Sequence, residues 1–109
     1  MRQSLLSIPL EWTGEEEFSE TLLSTESLLI ERILSRGHVS PKGSWYDQEE
    51  DEWVLLLQGN ATLVFEDGSS LMLRGGDSVF LPAHRRHRVD YTSSDPCCVW
   101  LAIRGSLGS

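Results

Sequence analysis

The chain has 109 residues, of which 39% are hydrophobic and 24% are charged, and its formal net charge is −8. This length suits one domain with a single core, and the composition is ordinary for a soluble globular protein. An acidic surface repels the phosphates of a nucleic acid, and no apolar run is long enough to cross a bilayer, so we expect neither a nucleic-acid partner nor a membrane partner.

The N-terminus and the two cysteines bear on the cellular compartment. Residues 1–6 carry one charge and no sustained apolar stretch, so no secretion signal is indicated. Cys97 and Cys98 are adjacent, and neighbours on a strand point to opposite faces, so a disulfide between them would be strained. We therefore expect a cytoplasmic protein with two reduced, buried cysteines.

The first predicted element is a short helix over about residues 14–23. Thr13, followed three positions later by Glu16, fits a capping box. Phe18, Leu22 and Leu23 then recur at helical spacing. The three consecutive glutamates near its start suit the positive end of a helix dipole, and we interpret them as a solvated helix start rather than as ligands.

From Ser27 onward the pattern is typical of short strands separated by turns that carry Gly or Pro. Asp67-Gly68, for example, is a strong hairpin turn. The predicted strands are 27–35, 52–58, 61–66, 71–74, 78–81, 87–91 and 97–103. Such a series predicts an all-β sandwich or barrel over about residues 27–104, in a single domain of residues 1–104 followed by a flexible tail at 105–109.

Two segments resemble the paired motifs of the cupin superfamily. The second motif, G-x5-P-x-G-x2-H-x3-N, is matched by Gly76, Pro82 and His87, while His84 stands at its glycine and Tyr91 at its asparagine. Of the first motif, G-x5-H-x-H-x3/4-E-x6-G, the E-x6-G part is present from Glu52 to Gly59. Depending on the gap, its histidine pair falls on Tyr46 and Gln48 or on Trp45 and Asp47.

The resemblance implies a small antiparallel cupin barrel, the double-stranded β-helix or jelly roll, and a metal site inside it. In metal-binding cupins three histidines and one glutamate hold a divalent metal, a ligand set that suits Fe, Mn, Ni or Zn. Here Glu52 and His87 are kept, and Asp47 and His84 are the candidates to complete the set. The alternative is that His84 points into water and that Asp47 belongs to a solvated acidic loop.

Without a metal, the same region predicts a polar pocket. Glu52 and His87 would form an ion pair or a general acid–base couple as candidate catalytic residues. Gln48 and Tyr46 would offer hydrogen bonds, and Trp45, Trp53 and Tyr91 are further candidates to line the pocket with Tyr46. For Trp53 and Trp100, both in mid-strand, we favour core packing instead.

Two functions follow as expectations from the resemblance. One is a metal-dependent or acid–base enzyme that acts on a small polar metabolite. The other is a non-catalytic module that binds a small molecule without a metal. Because many cupins pair their barrels, we also expect a homodimer, in which the apolar N-terminal segment Leu5–Trp12 covers or exchanges across a sheet edge. A purely structural dimer is disfavoured, because the polar cluster has no evident packing purpose.

Overall fold

The structure is a computed structural model that describes residues 2–107. Its regular elements are antiparallel strands joined by turns and loops. The eight strands are β1 (Phe18–Ser24), β2 (Leu28–Ser35), β3 (Asp51–Gln58), β4 (Asn60–Phe65), β5 (Ser70–Arg74), β6 (Ser78–Leu81), β7 (His87–Thr92) and β8 (Cys98–Gly105). All seven predicted strands are present with boundaries shifted by at most about two residues, and β1 is an additional strand.

The strands form two sheets that enclose one core. The larger sheet has the order β1-β2-β8-β3-β6 and the smaller has the order β5-β4-β7. Alternate residues of both sheets point inward, as the period of two in a strand requires. The buried core residues are Val54, Leu56, Ala61, Leu63, Phe65, Leu73, Leu81, Cys98 and Trp100. This is the all-β cupin-type architecture that the sequence predicted.

The predicted helix over residues 14–23 is wrong, because Phe18–Ser24 is the edge strand β1. It pairs antiparallel with β2 from Phe18 opposite Leu34 to Ser24 opposite Leu29. Thr13 makes a local turn, in which its hydroxyl accepts a hydrogen bond from the Glu15 amide at 3.3 Å. A short segment with weak helical periodicity gains more from pairing with an existing sheet edge than from an isolated helix of ten residues.

The N-terminal segment lies against the outer face of the larger sheet in its own subunit. The Arg32 side chain on β2 donates hydrogen bonds to the carbonyl oxygens of Leu5 and Ser7 at 3.1 and 2.6 Å. Arg32 is only 4% exposed, and its guanidinium also pairs with Glu20. This part of the sheet is therefore covered from within the chain.

Residues 38–48 run beside β7 and close the open edge of the smaller sheet. The Ser40 amide donates to the Val89 carbonyl at 2.9 Å, and Tyr46 and His87 form a two-way backbone bridge. Cys97 and Cys98 are free and buried, as predicted. Within residues 2–107 there is no helix with the length and hydropathy needed to cross a membrane. Of the predicted tail, Leu107 donates its amide to Asp51, and residues 108 and 109 lie outside the described residues.

Candidate functional site

A cavity of about 110 Å³ opens between the two sheets. One half of its wall is apolar and comprises Ile33, Val54, Leu63, Leu81, Val89, Trp100 and Ala102. The other half carries polar groups from several strands and loops, namely Glu17, Ser35, Tyr46, Gln48, Glu52, His87 and Arg104. Apolar walls with a few convergent polar groups are typical of a small-molecule site.

His87 begins β7 and presents its imidazole to the cavity with a defined tautomer. Its Nδ1 lies 2.8 Å from the carbonyl oxygen of Arg85, and a carbonyl oxygen only accepts, so Nδ1 carries the proton. In the neutral ring Nε2 is then a hydrogen-bond acceptor, and no residue among 2–107 donates to it. The ring is 6% exposed and stacks on Tyr46, with the ring centres 5.4 Å apart.

Glu52 lies on the inward face of β3 and is paired with an arginine that the sequence analysis missed. Arg104 stands directly opposite Glu52 in the register of β3 and β8, and its Nη2 donates to Glu52 Oε2 at 3.3 Å. A second carboxylate, that of Glu31, lies 3.9 Å from the same nitrogen. The sequence does contain a signal for the inward position of Arg104. Trp100, Ala102 and Arg104 are alternate residues of one strand, so Arg104 is expected on the same face as the two apolar residues, which point inward.

A hydrogen-bonded chain of three side chains forms another wall of the cavity. Trp100 Nε1 donates to Ser35 Oγ at 3.2 Å, and Ser35 Oγ donates to Glu17 Oε2 at 3.0 Å. The sequence analysis treated Glu17 as part of a solvated helix start, and did not single out Ser35. Ser35 is in phase with Ile33 on β2, but Glu17 is placed by the loop before β1, which the periodicity of the sequence does not indicate.

Tyr46 and Gln48, which stand at the histidine positions of the motif in one of its two alignments, both line the cavity. Their loop is fixed at two points, because the Tyr46 backbone pairs with that of His87 and the Gln48 carbonyl accepts the His84 amide at 2.8 Å. His84 adopts a φ of 63°, the left-handed conformation that favours glycine, at the position where the motif has glycine. The backbone geometry of the motif is thus kept although its residue is changed.

The predicted ligand set of Asp47, Glu52, His84 and His87 is divided between two places. Glu52 and His87 line the cavity. Asp47 and His84 instead bind each other at the surface, with 2.8 Å between Oδ1 and Nδ1 and with 44% and 65% of their side chains exposed. Among residues 2–107, no three His, Cys, Asp or Glu side chains are grouped to hold a metal ion.

Three aromatic candidates lie outside the cavity lining. Trp45 is half-buried beneath the guanidinium of Arg88, 5.7 Å from it. Tyr91 is exposed on the outer face of the smaller sheet, because the register shifts between Val89 and Tyr91 and reverses the alternation of β7. Trp53 is exposed on the outer face of the larger sheet, so neither pocket lining nor core packing is correct for it. Trp100 is in the core, as favoured, and also lines the cavity.

Comparison with known proteins decides the family. The family model described as the cupin domain matches residues 33–104 of this chain. The chain belongs to the cupin family. The match spans all the strands except β1, the first part of β2 and the last residue of β8, and it includes every lining residue of the cavity except Glu17.

Solved cupin structures are similar to this chain over most of its length. A protein of Ralstonia eutropha JMP134, provisionally named a mannose-6-phosphate isomerase, is 37% identical with a TM-score of 0.89, and the match covers 98% of this chain and 99% of that chain. A cupin superfamily protein of Desulfitobacterium hafniense DCB-2 is 21% identical, with a TM-score of 0.75 and coverage of 90% and 84%. KdgF of a Halomonas species is also 21% identical, with a TM-score of 0.67 and coverage of 84% and 81%. No curated protein sequence matches the chain.

The side chains in this cupin cavity do not fit a resident transition metal. The described lining supplies one imidazole, that of His87, and two carboxylates, those of Glu17 and Glu52, in place of the three imidazoles and one carboxylate of metal-binding cupins. The Glu52 carboxylate already accepts from Arg104, and the Glu17 carboxylate accepts from Ser35. A guanidinium at this point neutralises the carboxylate and repels a second cation.

Proposed function

We propose that the cavity binds a small, neutral, polyhydroxylated molecule directly through its side chains, without a resident transition metal. The observation that carries this proposal is that the wall combines apolar side chains with hydrogen-bond donors and acceptors, while Arg104, the cation among the described lining residues, is paired with Glu52. Hydroxyl groups both donate and accept, so they match a mixed wall of this kind.

The size of the cavity limits the ligand to a small molecule. Its volume is about 110 Å³, somewhat less than the roughly 150 Å³ of an engineered cavity that accommodates benzene. A polyol of roughly three or four carbon atoms is of this scale. Larger ligands would extend through the mouth beside Tyr46.

Three groups of the wall are available to such a ligand. His87 Nε2 is an acceptor for a hydroxyl, since Nδ1 holds the proton. Arg104 lines the cavity, and the guanidinium N–H groups beyond the one that Glu52 accepts are donors for a hydroxyl oxygen. The amide of Gln48 adds a donor and an acceptor at the mouth.

The charges of the wall favour a neutral ligand over a phosphorylated one. Glu17 and Glu52 contribute two carboxylates, and the single guanidinium of Arg104 is engaged by Glu52 and by Glu31. A phosphate group carries up to two negative charges and would need a free cation in this space. We therefore infer that the ligand of this chain carries no phosphate group, unlike the mannose 6-phosphate in the name of the relative from Ralstonia eutropha.

A second candidate function is an acid–base isomerisation of a sugar. It is favoured by the name of the 37% identical relative and by the presence of a carboxylate and an imidazole in one cavity. In such a reaction one of Glu52 and His87 removes the proton from the second carbon and returns it to the first, while the other moves a proton from the hydroxyl oxygen of the second carbon to the carbonyl oxygen of the first. Conversion of D-mannose to D-fructose, abolished in Glu52→Gln, would establish this activity.

The ligand class is tested by saturation-transfer NMR and calorimetry with D-mannose and with mannose 6-phosphate as probes. We expect D-mannose to bind and mannose 6-phosphate to bind at least about tenfold more weakly, because about 1.4 kcal/mol of charge repulsion corresponds to that factor. In His87→Ala, loss of the acceptor should weaken D-mannose binding by roughly five- to tenfold, which corresponds to one hydrogen bond.

His84→Ala is the matched control, since this histidine is exposed and lies outside the cavity lining. It should bind D-mannose as the wild type does. Binding of mannose 6-phosphate more tightly than D-mannose, or absence of D-mannose binding, would contradict the proposed ligand class. Equal losses of D-mannose affinity in His84→Ala and His87→Ala would instead support the four-residue metal set of Asp47, Glu52, His84 and His87.

The cytoplasmic location of the protein stays a prediction.

A further inference from the structure

The carboxylate of Glu17 stands where the cavity meets the surface. Glu17 is exposed, and it lines both the cavity and a neighbouring hollow that is formed by residues 11–18. We propose, on the basis of the function proposed above, that Glu17 determines which ligands the cavity accepts. Its carboxylate accepts hydrogen bonds from the hydroxyl groups of a neutral ligand and repels an anionic one. Glu17 precedes the residues 33–104 that match the cupin model, so this selectivity comes from outside the matched segment.

A buried hydroxyl group orients the Glu17 side chain. Ser35 is only 1% exposed, and its Oγ accepts a hydrogen bond from Trp100 Nε1 at 3.2 Å. An indole N–H only donates, so the one proton of the Ser35 hydroxyl is directed to Glu17 Oε2, at 3.0 Å. The direction of the chain is thereby fixed, and its last member has to be an acceptor. A carboxylate meets this requirement and keeps further acceptor positions for a ligand.

The backbone on both sides of Glu17 is held by the rest of the chain. His38 Nδ1 accepts from the Arg36 amide at 2.8 Å, so in the neutral ring Nε2 carries the proton and donates it to the Glu15 carbonyl oxygen at 3.1 Å. On the other side, β1 begins at Phe18 and is paired with β2. Glu17 therefore reaches the cavity from a defined position.

The Glu17 carboxylate has free acceptor capacity. Its Oε2 is bonded to Ser35, and among residues 2–107 no donor is bonded to Oε1. The two oxygens of a carboxylate offer about four acceptor positions, so one carboxylate can bind two neighbouring hydroxyl groups. Hydrogen bonds to a charged acceptor are roughly twice as strong as those between neutral groups. A polyhydroxylated ligand therefore gains more from Glu17 than from a neutral side chain of the same shape.

The negative charge of Glu17 is not balanced by a neighbouring cation. Within the described part of the chain, the Glu17 carboxylate forms no ion pair. The other carboxylate of the wall, that of Glu52, is paired with Arg104. An unpaired carboxylate at the entrance repels a phosphate group that approaches the cavity. Glu17 is thus the side chain whose charge discriminates between neutral and anionic ligands.

Calorimetric titration of the full chain with D-mannose and with mannose 6-phosphate, in the wild type and in Glu17→Gln, tests the proposal. This substitution keeps the shape of the side chain and removes its charge. D-mannose should bind roughly three- to tenfold more weakly, because charged acceptors are replaced by a neutral one. Mannose 6-phosphate should bind roughly three- to tenfold more tightly, because the repulsion is lost. The ratio of the two affinities should therefore change by about tenfold or more.

Glu16→Gln is the matched control. It removes the same charge one residue away, from an exposed side chain that lies outside the cavity lining. Because solvent and salt screen exposed charges, both affinities should stay within about twofold of those of the wild type.

Ser35→Ala tests whether Ser35 positions the Glu17 carboxylate. It should weaken D-mannose binding about threefold in the wild type and by less than about twofold in a Glu17→Ala background, since the carboxylate is then absent. Equal losses in the two backgrounds would show that Ser35 acts on the cavity in another way and would overturn this positioning role. Thermal unfolding verifies that each variant is folded, and the Glu17→Gln titrations do not depend on Ser35→Ala.

The outcomes separate the selectivity of Glu17 from the proposed ligand class. Absence of D-mannose binding in the wild type would contradict the proposed function, and the role of Glu17 with it. If the wild type binds D-mannose but Glu17→Gln leaves the ratio of the two affinities unchanged, only the role of Glu17 is overturned. The same holds if Glu16→Gln changes that ratio as much as Glu17→Gln does.

Discussion

Arg104→Ala is expected to lower the free energy of unfolding by about 2–4 kcal/mol. Glu52 is only 7% exposed, and the substitution leaves its carboxylate buried without the guanidinium opposite it. The expected loss of stability lies at the lower end of the range for breaking a buried ion pair, because 28% of the Arg104 side chain is exposed. Urea-induced unfolding, followed by tryptophan fluorescence, measures the change.

Arg88→Ala is the matched control for this prediction. Arg88 has a similar exposed fraction of 23%, but its partner Asp90 is 48% exposed, so the loss should be about 1 kcal/mol or less. The double variant Glu52→Gln with Arg104→Met should recover much of the stability, since no charge is then left buried. Equal losses in Arg104→Ala and Arg88→Ala would show that the Glu52–Arg104 pair has no special role.

Gly59→Ala is expected to destabilise the fold by roughly 3 kcal/mol or more. Gly59 joins β3 to β4 with a φ of 94°, a conformation that L side chains rarely adopt. An added Cβ would also lie 2.8 Å from Ser93 Oγ, 2.9 Å from Cys98 Sγ and 3.0 Å from the Cys97 carbonyl oxygen. The glycine of the E-x6-G motif is thus required by both conformation and space.

Gly68→Ala separates these two causes. Gly68 has nearly the same φ, 91°, but an added Cβ there has no neighbour within 4 Å. Gly68→Ala should therefore lower the free energy of unfolding only by the cost of the left-handed backbone conformation, roughly 1–2 kcal/mol. Thermal and urea unfolding of both variants measure the difference. If Gly59→Ala and Gly68→Ala lower the free energy of unfolding equally, close packing of the β3–β4 turn does not contribute to stability.

The sequence predicted the fold well because alternation and turn residues are local signals. Seven strands follow from residues such as Asp67-Gly68 and from the apolar runs between turns. The edge strand β1 was mistaken for a helix, since Phe18, Leu22 and Leu23 satisfy a helical spacing and the pairing with β2 is a long-range effect. Local sequence patterns do not reveal which segment will pair with the edge of a sheet.

The site was only partly predictable. The motifs placed Glu52 and His87 in one region, and both line the cavity. Tyr91 was misplaced because a register shift in β7 reverses the alternation beyond Val89, and a bulge of this kind has no reliable sequence signal. Arg104 was missed since the family motif does not include it, although its phase with Trp100 and Ala102 indicated an inward position.

The central claim is that side chains of this cupin, not a metal, bind the ligand in the cavity. Calorimetric titration of the chelator-treated protein with D-mannose, repeated after addition of Mn²⁺ or Zn²⁺, tests it most directly. We predict the same affinity, within about twofold, in all three titrations, since the proposed contacts are those with His87, Arg104 and Gln48. Binding that occurs only after metal is added, with stoichiometric metal in protein purified without chelators, would contradict the account.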